Sequence, residues 1–334
     1  MERNKEIDFI KGIAILGIVI EHCYEATIQK IPVGSILPIF SEFIIIIQLV
    51  LFFACSGYLY AYRERGIIVE GRTREYIKKK ALDQLLVYCF FALFIWMGKV
   101  VFSSQVKYPV GGKDILLFFV KPISYAWFLY VLFIIEVIVV LIDNKIKNKH
   151  IVLVLGIILS FIANLDIIEI DLIKKVLYYF VFYYIGISIY DEDPKLNVRI
   201  EKNILCVVFL FICLFVLDVV FIKNTKELRF FAQLVVTPLV FVLVKRFKKF
   251  AQNASLIMFL GKISIYIYLV HPIVRSGVRM LLVNAGLMNP YLWICTMSVT
   301  SVVVSIVVMR ITKKVWWIDF LFSPRKYLLE KGKK

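Results

Sequence analysis

The chain has little of what a soluble enzyme uses. Only 3 histidines occur among its 334 residues, and their separations make no convincing metal site. The 6 cysteines (Cys23, Cys55, Cys89, Cys206, Cys213 and Cys295) show no CxxC or metal-ligand spacing. Most lie inside apolar runs, where a thiol acts as a small packing residue. No stretch alternates apolar with polar residues, which excludes a β-barrel. No loop is long enough for a soluble domain, and no Gly/Ser linker divides the chain. No internal repeat is visible, so the inverted-repeat plan of many transporters leaves no clear trace. The first apolar segment is not followed by a small-residue cleavage site and is expected to remain as a helix.

What is present is apolar sequence in blocks. The chain is 61% hydrophobic with a mean hydropathy of +0.85, against about 45–50% apolar in soluble domains. Runs near residues 7–27, 36–60, 82–102, 124–142, 150–166, 172–190, 203–222, 229–245, 256–274 and 291–309 each approach the roughly 20 residues a helix needs to cross a bilayer. The expectation is an all-α, polytopic membrane protein with about ten transmembrane helices. With both termini in the cytoplasm, the inner segments hold 27 Lys/Arg and the outer ones 9, as the positive-inside rule requires. The net charge of +17 then reports topology rather than nucleic-acid binding. Residues 1–310 read as a single transmembrane unit, followed by a basic cytoplasmic tail over 311–334. The Lys- and Ile-rich, Ala-poor composition fits a bacterial plasma-membrane protein, and a homo-oligomer is compatible with it.

The stretch KGIAILGIVIEH, Lys11 to His22, carries charge where hydrocarbon makes charge expensive. Eleven residues on a helix bring Lys11 and His22 to within roughly 20° of one face, roughly 16 Å apart along the axis. Asp8 lies on nearly the same face. Lys11 alone reads as a snorkelling interfacial residue. The Glu21–His22 pair reads as functional, since ionisable groups within a span usually face the bundle interior. His22 is a candidate general base. Glu21, about 100° away, reads as a rim residue. His271 ends an apolar run and is either an interfacial residue or a supporting one. Trp127 reads as part of an aromatic belt or as the lining of an acceptor site. Glu136 and Asp218 fall inside spans, buried and paired or lining a polar path. His150 reads as solvated. The basic segment 61–81 sets topology and meets anionic headgroups.

Several motifs together resemble the acyltransferase-3 family of integral membrane acyltransferases. The family's first helix carries a basic residue and, after ten intervening residues, a histidine, as Lys11 and His22 do here, with Arg3 and Asp8 ahead and Gly12 behind the lysine. FFACSGYLY, with Phe53, Ser56 and Gly57, resembles the second helix. AWFLYVL, with Trp127 and Phe128, resembles the start of the fourth. GKISIYIYLVHPI, with Gly261, Ser264, Tyr268, His271 and Pro272, resembles a late helix.

The resemblance implies an O-acyltransferase of the cell envelope. It implies transfer of an acyl group, usually acetyl, from cytoplasmic acyl-CoA to a hydroxyl of an envelope carbohydrate, such as a surface polysaccharide or its lipid-linked precursor. His22 and Lys11 become the catalytic candidates, with Asp8, Glu21, Trp127, Ser264 and His271 in support. A basic pair ahead of the family's third helix is thought to hold the CoA phosphates. Arg72, Arg74, Lys78, Lys79 and Lys80 supply that charge here, although Asp83 stands where many members have a second arginine. No bound cofactor and no metal are expected, with acetyl-CoA as donor substrate. A multi-pass transporter or flippase for a glycan or small solute is the competing reading, separated from the first by acyl-CoA turnover.

Overall fold

A computed structural model describes residues 3–101, 110–112, 117–122, 124–143, 145–146, 148–165, 167–221 and 225–329. Most of the expected outer loop over 103–123 and the last residues of the tail lie outside these. The described residues are predominantly helical, with no strand among them. The principal helices are α1 (Lys5–Ile28), α2 (Ile36–Glu64), α3 (Thr73–Val101), α4 (Trp127–Asp143), α5 (Lys149–Asn164), α6 (Asp171–Asp191), α7 (Ile204–Val220), α8 (Lys226–Arg246), α9 (Ser255–Lys262), α10 (Ser264–Asn284) and α11 (Pro290–Thr312). Two short helices follow, α12 (Trp316–Phe322) and α13 (Pro324–Leu328).

Among the described residues, six helices are both long and apolar enough to cross a membrane: α2, α3, α6, α8, α10 and α11. The expected number was ten. Helix α1 has the length, with 24 residues, but carries Asp8, Lys11, Glu21 and Glu25. Helices α4, with 17 residues, and α5, with 16, are short, as is α7. The expected span over 256–274 is not one helix. It divides at Ile263 into α9 and α10, and Ile263 adopts φ −102° and ψ 14° outside both. The segment expected as a basic loop is largely helical. Helix α3 starts at Thr73 and runs through Lys78, Lys79 and Lys80 into the apolar sequence by way of a widened π-turn at Ala81–Leu85.

Lipid tails are as apolar as leucine, so membrane helices associate by close packing rather than by the hydrophobic effect. Two crossings show this. Helices α2 and α6 meet through Gly57 and Gly186. A Cβ on Gly57 would lie 1.9 Å from the Tyr183 carbonyl oxygen, and one on Gly186 would lie 1.9 Å from the Ala54 carbonyl oxygen. Helices α1 and α9 meet the same way. A Cβ on Gly12 would lie 2.0 Å from the Ile257 carbonyl oxygen, and one on Gly261 would lie 1.8 Å from that of Asp8. Each crossing therefore needs hydrogen on both sides.

Ion pairs tie helix ends together. Arg65, just beyond α2's apolar run, donates to Asp143 at the end of α4 (2.9 Å) and to Asp191 at the end of α6 (2.6 Å). At the opposite end of α2, Glu42 accepts from Arg229 of α8 at 2.7 Å. The segment after α11 folds back on α3: Phe322 packs on Phe91 and Tyr266, and Arg325 donates to Asp83 at 2.8 Å.

Gly186→Ala should lower the thermal midpoint of the detergent-solubilised protein, by the equivalent of about 1–3 kcal/mol or more. Gly277→Ala, which meets nothing within 4 Å, should leave it unchanged or slightly raised. Differential scanning fluorimetry compares the two.

Candidate active site

The continuous helix α1 places Lys11 and His22 on one face, as their spacing requires. His22 meets His271 of α10. The two rings stack with centroids 5.2 Å apart and planes 22° apart, and His22 Nδ1 lies 3.0 Å from His271 Nε2. The other nitrogen of His271, Nδ1, lies 2.7 Å from the Ile267 carbonyl oxygen. A carbonyl only accepts, so His271 Nδ1 carries the proton and, in the neutral ring, Nε2 is a lone pair. The 3.0 Å contact then needs a donor, and His22 Nδ1 supplies it. His22 is left with an unprotonated Nε2. The chain of bonds selects the tautomer in which His22 can take a proton.

Local sequence explains why α10 presents His271 in this way. Pro272 has no N–H to donate to the preceding turn, which leaves the Tyr268 carbonyl without its helical donor and open to the ring above it. The His271 carbonyl accepts from Ser301 Oγ of α11 at 3.4 Å. One turn beyond His271, Arg275 donates from Nη1 to the His22 backbone carbonyl at 2.9 Å. The two helices are thus joined both through the imidazoles and through a guanidinium.

His22 lines a cavity of about 310 Å³ together with Ile18, Glu25, Gln48, Leu49, Tyr125, Trp127, Phe128, Tyr268 and Arg275. Its aromatic wall is continuous. Trp127 stacks on Tyr179 with centroids 5.5 Å apart, Phe128 lies 5.3 Å from Tyr268, and the Lys175 ammonium lies 4.9 Å from the Trp127 centroid. The Tyr268 hydroxyl donates to the Tyr125 backbone carbonyl.

Glu21 is not a rim residue. Its carboxylate is buried, and Oε2 lies 3.6 Å from His22 Nε2. Two consecutive residues on a helix meet here because both side chains turn into the same interior. Ligand atoms of Glu21, His22 and Glu25 lie within 4.8 Å of one another, a grouping that the scattered histidines did not suggest.

The remaining expected site residues divide by position. Asp8 accepts from Arg3 at 2.6 and 3.1 Å and lies at the α1–α9 crossing, with Lys11 and Cys55 beside it. Ser264 opens α10 and is buried. Lys80 points into the bundle, where it pairs at 3.2 Å with the buried Glu136, which also accepts from Gln84 at 3.1 Å. Arg72 is held by Glu75 and Glu70, and Lys79 by Glu75. Among the described residues, Arg74 and Lys78 have no acidic partner. His150 is exposed, as expected, 3.9 Å from Glu192. Asp218 is buried.

Four cavity residues escaped the reading of the sequence: Glu25, Gln48, Tyr125 and Arg275. Spacing held a signal for two of them. Glu25 follows His22 by three residues and Arg275 follows His271 by four, both on the same helix face. Gln48 is a lone polar residue within FIIIIQLVLFF. Nothing local marks Tyr125.

No curated protein and no solved structure matches the chain significantly. The family model described as an acyltransferase domain matches residues 4–310. That stretch holds the whole helical bundle, both histidines and the cavity between them, and the chain belongs to the acyltransferase-3 family.

Proposed function

We propose that this membrane acyltransferase moves an acetyl or other acyl group from cytoplasmic acyl-CoA to a hydroxyl of an envelope carbohydrate, with His22 as general base. The observation that carries the reading is the His22–His271 hydrogen bond at the wall of an aromatic cavity. His271 is itself held by the Ile267 carbonyl, so it fixes the tautomer and ring angle of His22.

The reaction follows from that tautomer. His22 Nε2 accepts the proton of the acceptor hydroxyl as its oxygen attacks the thioester carbonyl carbon. The tetrahedral intermediate collapses with cleavage of the C–S bond. The departing CoA sulfur takes the proton back from His22, which restores the starting tautomer. Trp127 and its neighbouring rings offer the apolar faces on which a sugar ring stacks. Glu21 at 3.6 Å favours the imidazolium while His22 holds the proton.

The donor is assigned to the basic end of α3, with Lys11 roughly 16 Å below His22, and its pantetheine arm spans that separation between the helices. Of the basic residues there, Arg74 and Lys78 are the phosphate ligands we favour, because the others are engaged by carboxylates. Lys80 holds Glu136 instead.

Three outcomes follow. In nanodiscs with acetyl-CoA, His22→Ala should lower CoA release about 10²–10⁴-fold. His271→Asn, which keeps an acceptor for His22 Nδ1, should retain more activity than His271→Ala. Full activity in His22→Ala would remove the base assignment, and no turnover by the unaltered chain would favour the transporter.

Arg74→Gln with Lys78→Gln should raise the KM for acetyl-CoA with little change in thermal midpoint. Glu136→Ala should instead destabilise the fold by about 3–5 kcal/mol, because it strands a buried ammonium. Thermal unfolding and titration with acetyl-CoA separate the two classes.

His22 Nε2 cannot serve at once as base and as metal ligand. Transfer is therefore expected to persist in EDTA and to fall on addition of Zn²⁺, whose preferred ligands include imidazole nitrogen and carboxylate oxygen. CoA release measured across both additions checks this.

A further inference from the structure

Buried polar atoms almost always have a partner, and a donor left without one costs about 1–3 kcal/mol. Two such atoms belong to residues that line the cavity beside His22. Arg275 Nε and Tyr125 Oη are both buried and both lack a hydrogen-bond partner, and both residues line the cavity. Neither sits there loosely. The Arg275 guanidinium is anchored at 2.9 Å to the backbone carbonyl of His22. The Tyr125 ring lies 6.1 Å from that of His271 and edge-on to Tyr268 at 6.4 Å, whose hydroxyl holds the Tyr125 carbonyl. A third unpartnered atom in the cavity, Gln48 Oε1, is an acceptor and cannot hold an anion.

We infer that Arg275 Nε and Tyr125 Oη are the two donors of an oxyanion hole that faces His22. The inference rests on the acyl-transfer reading and adds to it the group that stabilises the intermediate. When the acceptor oxygen bonds to the thioester carbon, the carbonyl π pair moves onto its oxygen. The oxyanion that forms accepts from Arg275 N–H and Tyr125 O–H. When the C–S bond breaks, the pair returns to the carbonyl and both donors are released. The ground-state thioester oxygen is neutral and draws less from a guanidinium than the oxyanion does. Two donors held by the fold therefore act mainly on the transition state. The fixed position of Arg275 on the His22 backbone couples the hole to the base, so that both reach the same reacting carbon.

The test measures CoA release from acetyl-CoA by the full chain in nanodiscs, with water as the acceptor, for Tyr125→Phe, Arg275→Lys and the double variant. Tyr125→Phe removes only a hydroxyl that has no partner, so its thermal midpoint should not fall. Each single variant should lose about 10²-fold or more in kcat, with acetyl-CoA binding by calorimetry and KM little changed. Because Arg275 also holds the His22 carbonyl, Tyr125→Phe is the deciding variant. Unaltered kcat in Tyr125→Phe, or losses confined to KM, would overturn the oxyanion hole while leaving the acyl-transfer reading intact. An unaltered chain that binds acetyl-CoA but releases no CoA either to water or to any added glycan would overturn both.

Discussion

The hydrogen bond from His22 Nδ1 to His271 Nε2 is the interaction on which the rest of the molecule depends. It joins residues on the first helix and on one of the last, and it has a chemical direction. Its orientation is set outside the pair, by the Ile267 carbonyl that can only accept. A neutral imidazole has one donor and one acceptor. Fixing one nitrogen of His271 therefore fixes both nitrogens of His22. The bond needs α1 and α10 at a constant separation, and much of the remaining architecture maintains it.

That separation is held by packing on both sides as well as by the guanidinium of Arg275 on the His22 carbonyl. Helix α9, which leads into α10, lies against α1 through Gly12 and Gly261, each facing a carbonyl oxygen of the other helix. On the far side, α2 is locked to α6 through Gly57 and Gly186. Backbone against backbone leaves no side-chain freedom at either crossing. The break at Ile263 lets α9 follow α1 while α10 turns His271 toward His22. A single straight helix over the same residues would have to satisfy both contacts with one axis.

Charge is distributed by the same constraint. Ions inside an apolar bundle are costly unless paired. Arg65 is therefore shared between Asp143 and Asp191, Lys80 is matched with Glu136, and Arg229 with Glu42. Pairing is incomplete at the cavity as well as in parts of these networks. Arg275 Nε, Tyr125 Oη and Gln48 Oε1 all remain open there. These three belong to residues that share a cavity with a histidine in its basic tautomer.

The amino-acid sequence by itself determined the all-helical membrane class, because apolar runs of membrane-spanning length permit little else. It also determined the shared face of Lys11 and His22, because helical periodicity places residues eleven apart in line. The glycines of the recurring motifs were visible, but not their reason, which lies in carbonyls of helices distant in the chain. Glu21 was misplaced because a helical wheel locates Cα positions and not the direction of long side chains. Lys80 was grouped with its basic neighbours because Glu136, 56 residues later, cannot be seen as its partner from the sequence. Helix count depends on length and charge in the folded elements, and the division at Ile263 follows from two competing packing partners. Only the tertiary structure decided which histidine nitrogen bears the proton and that Arg275 and Tyr125 share a cavity with it. Such facts depend on contacts between residues more than a hundred positions apart, and no local pattern encodes them.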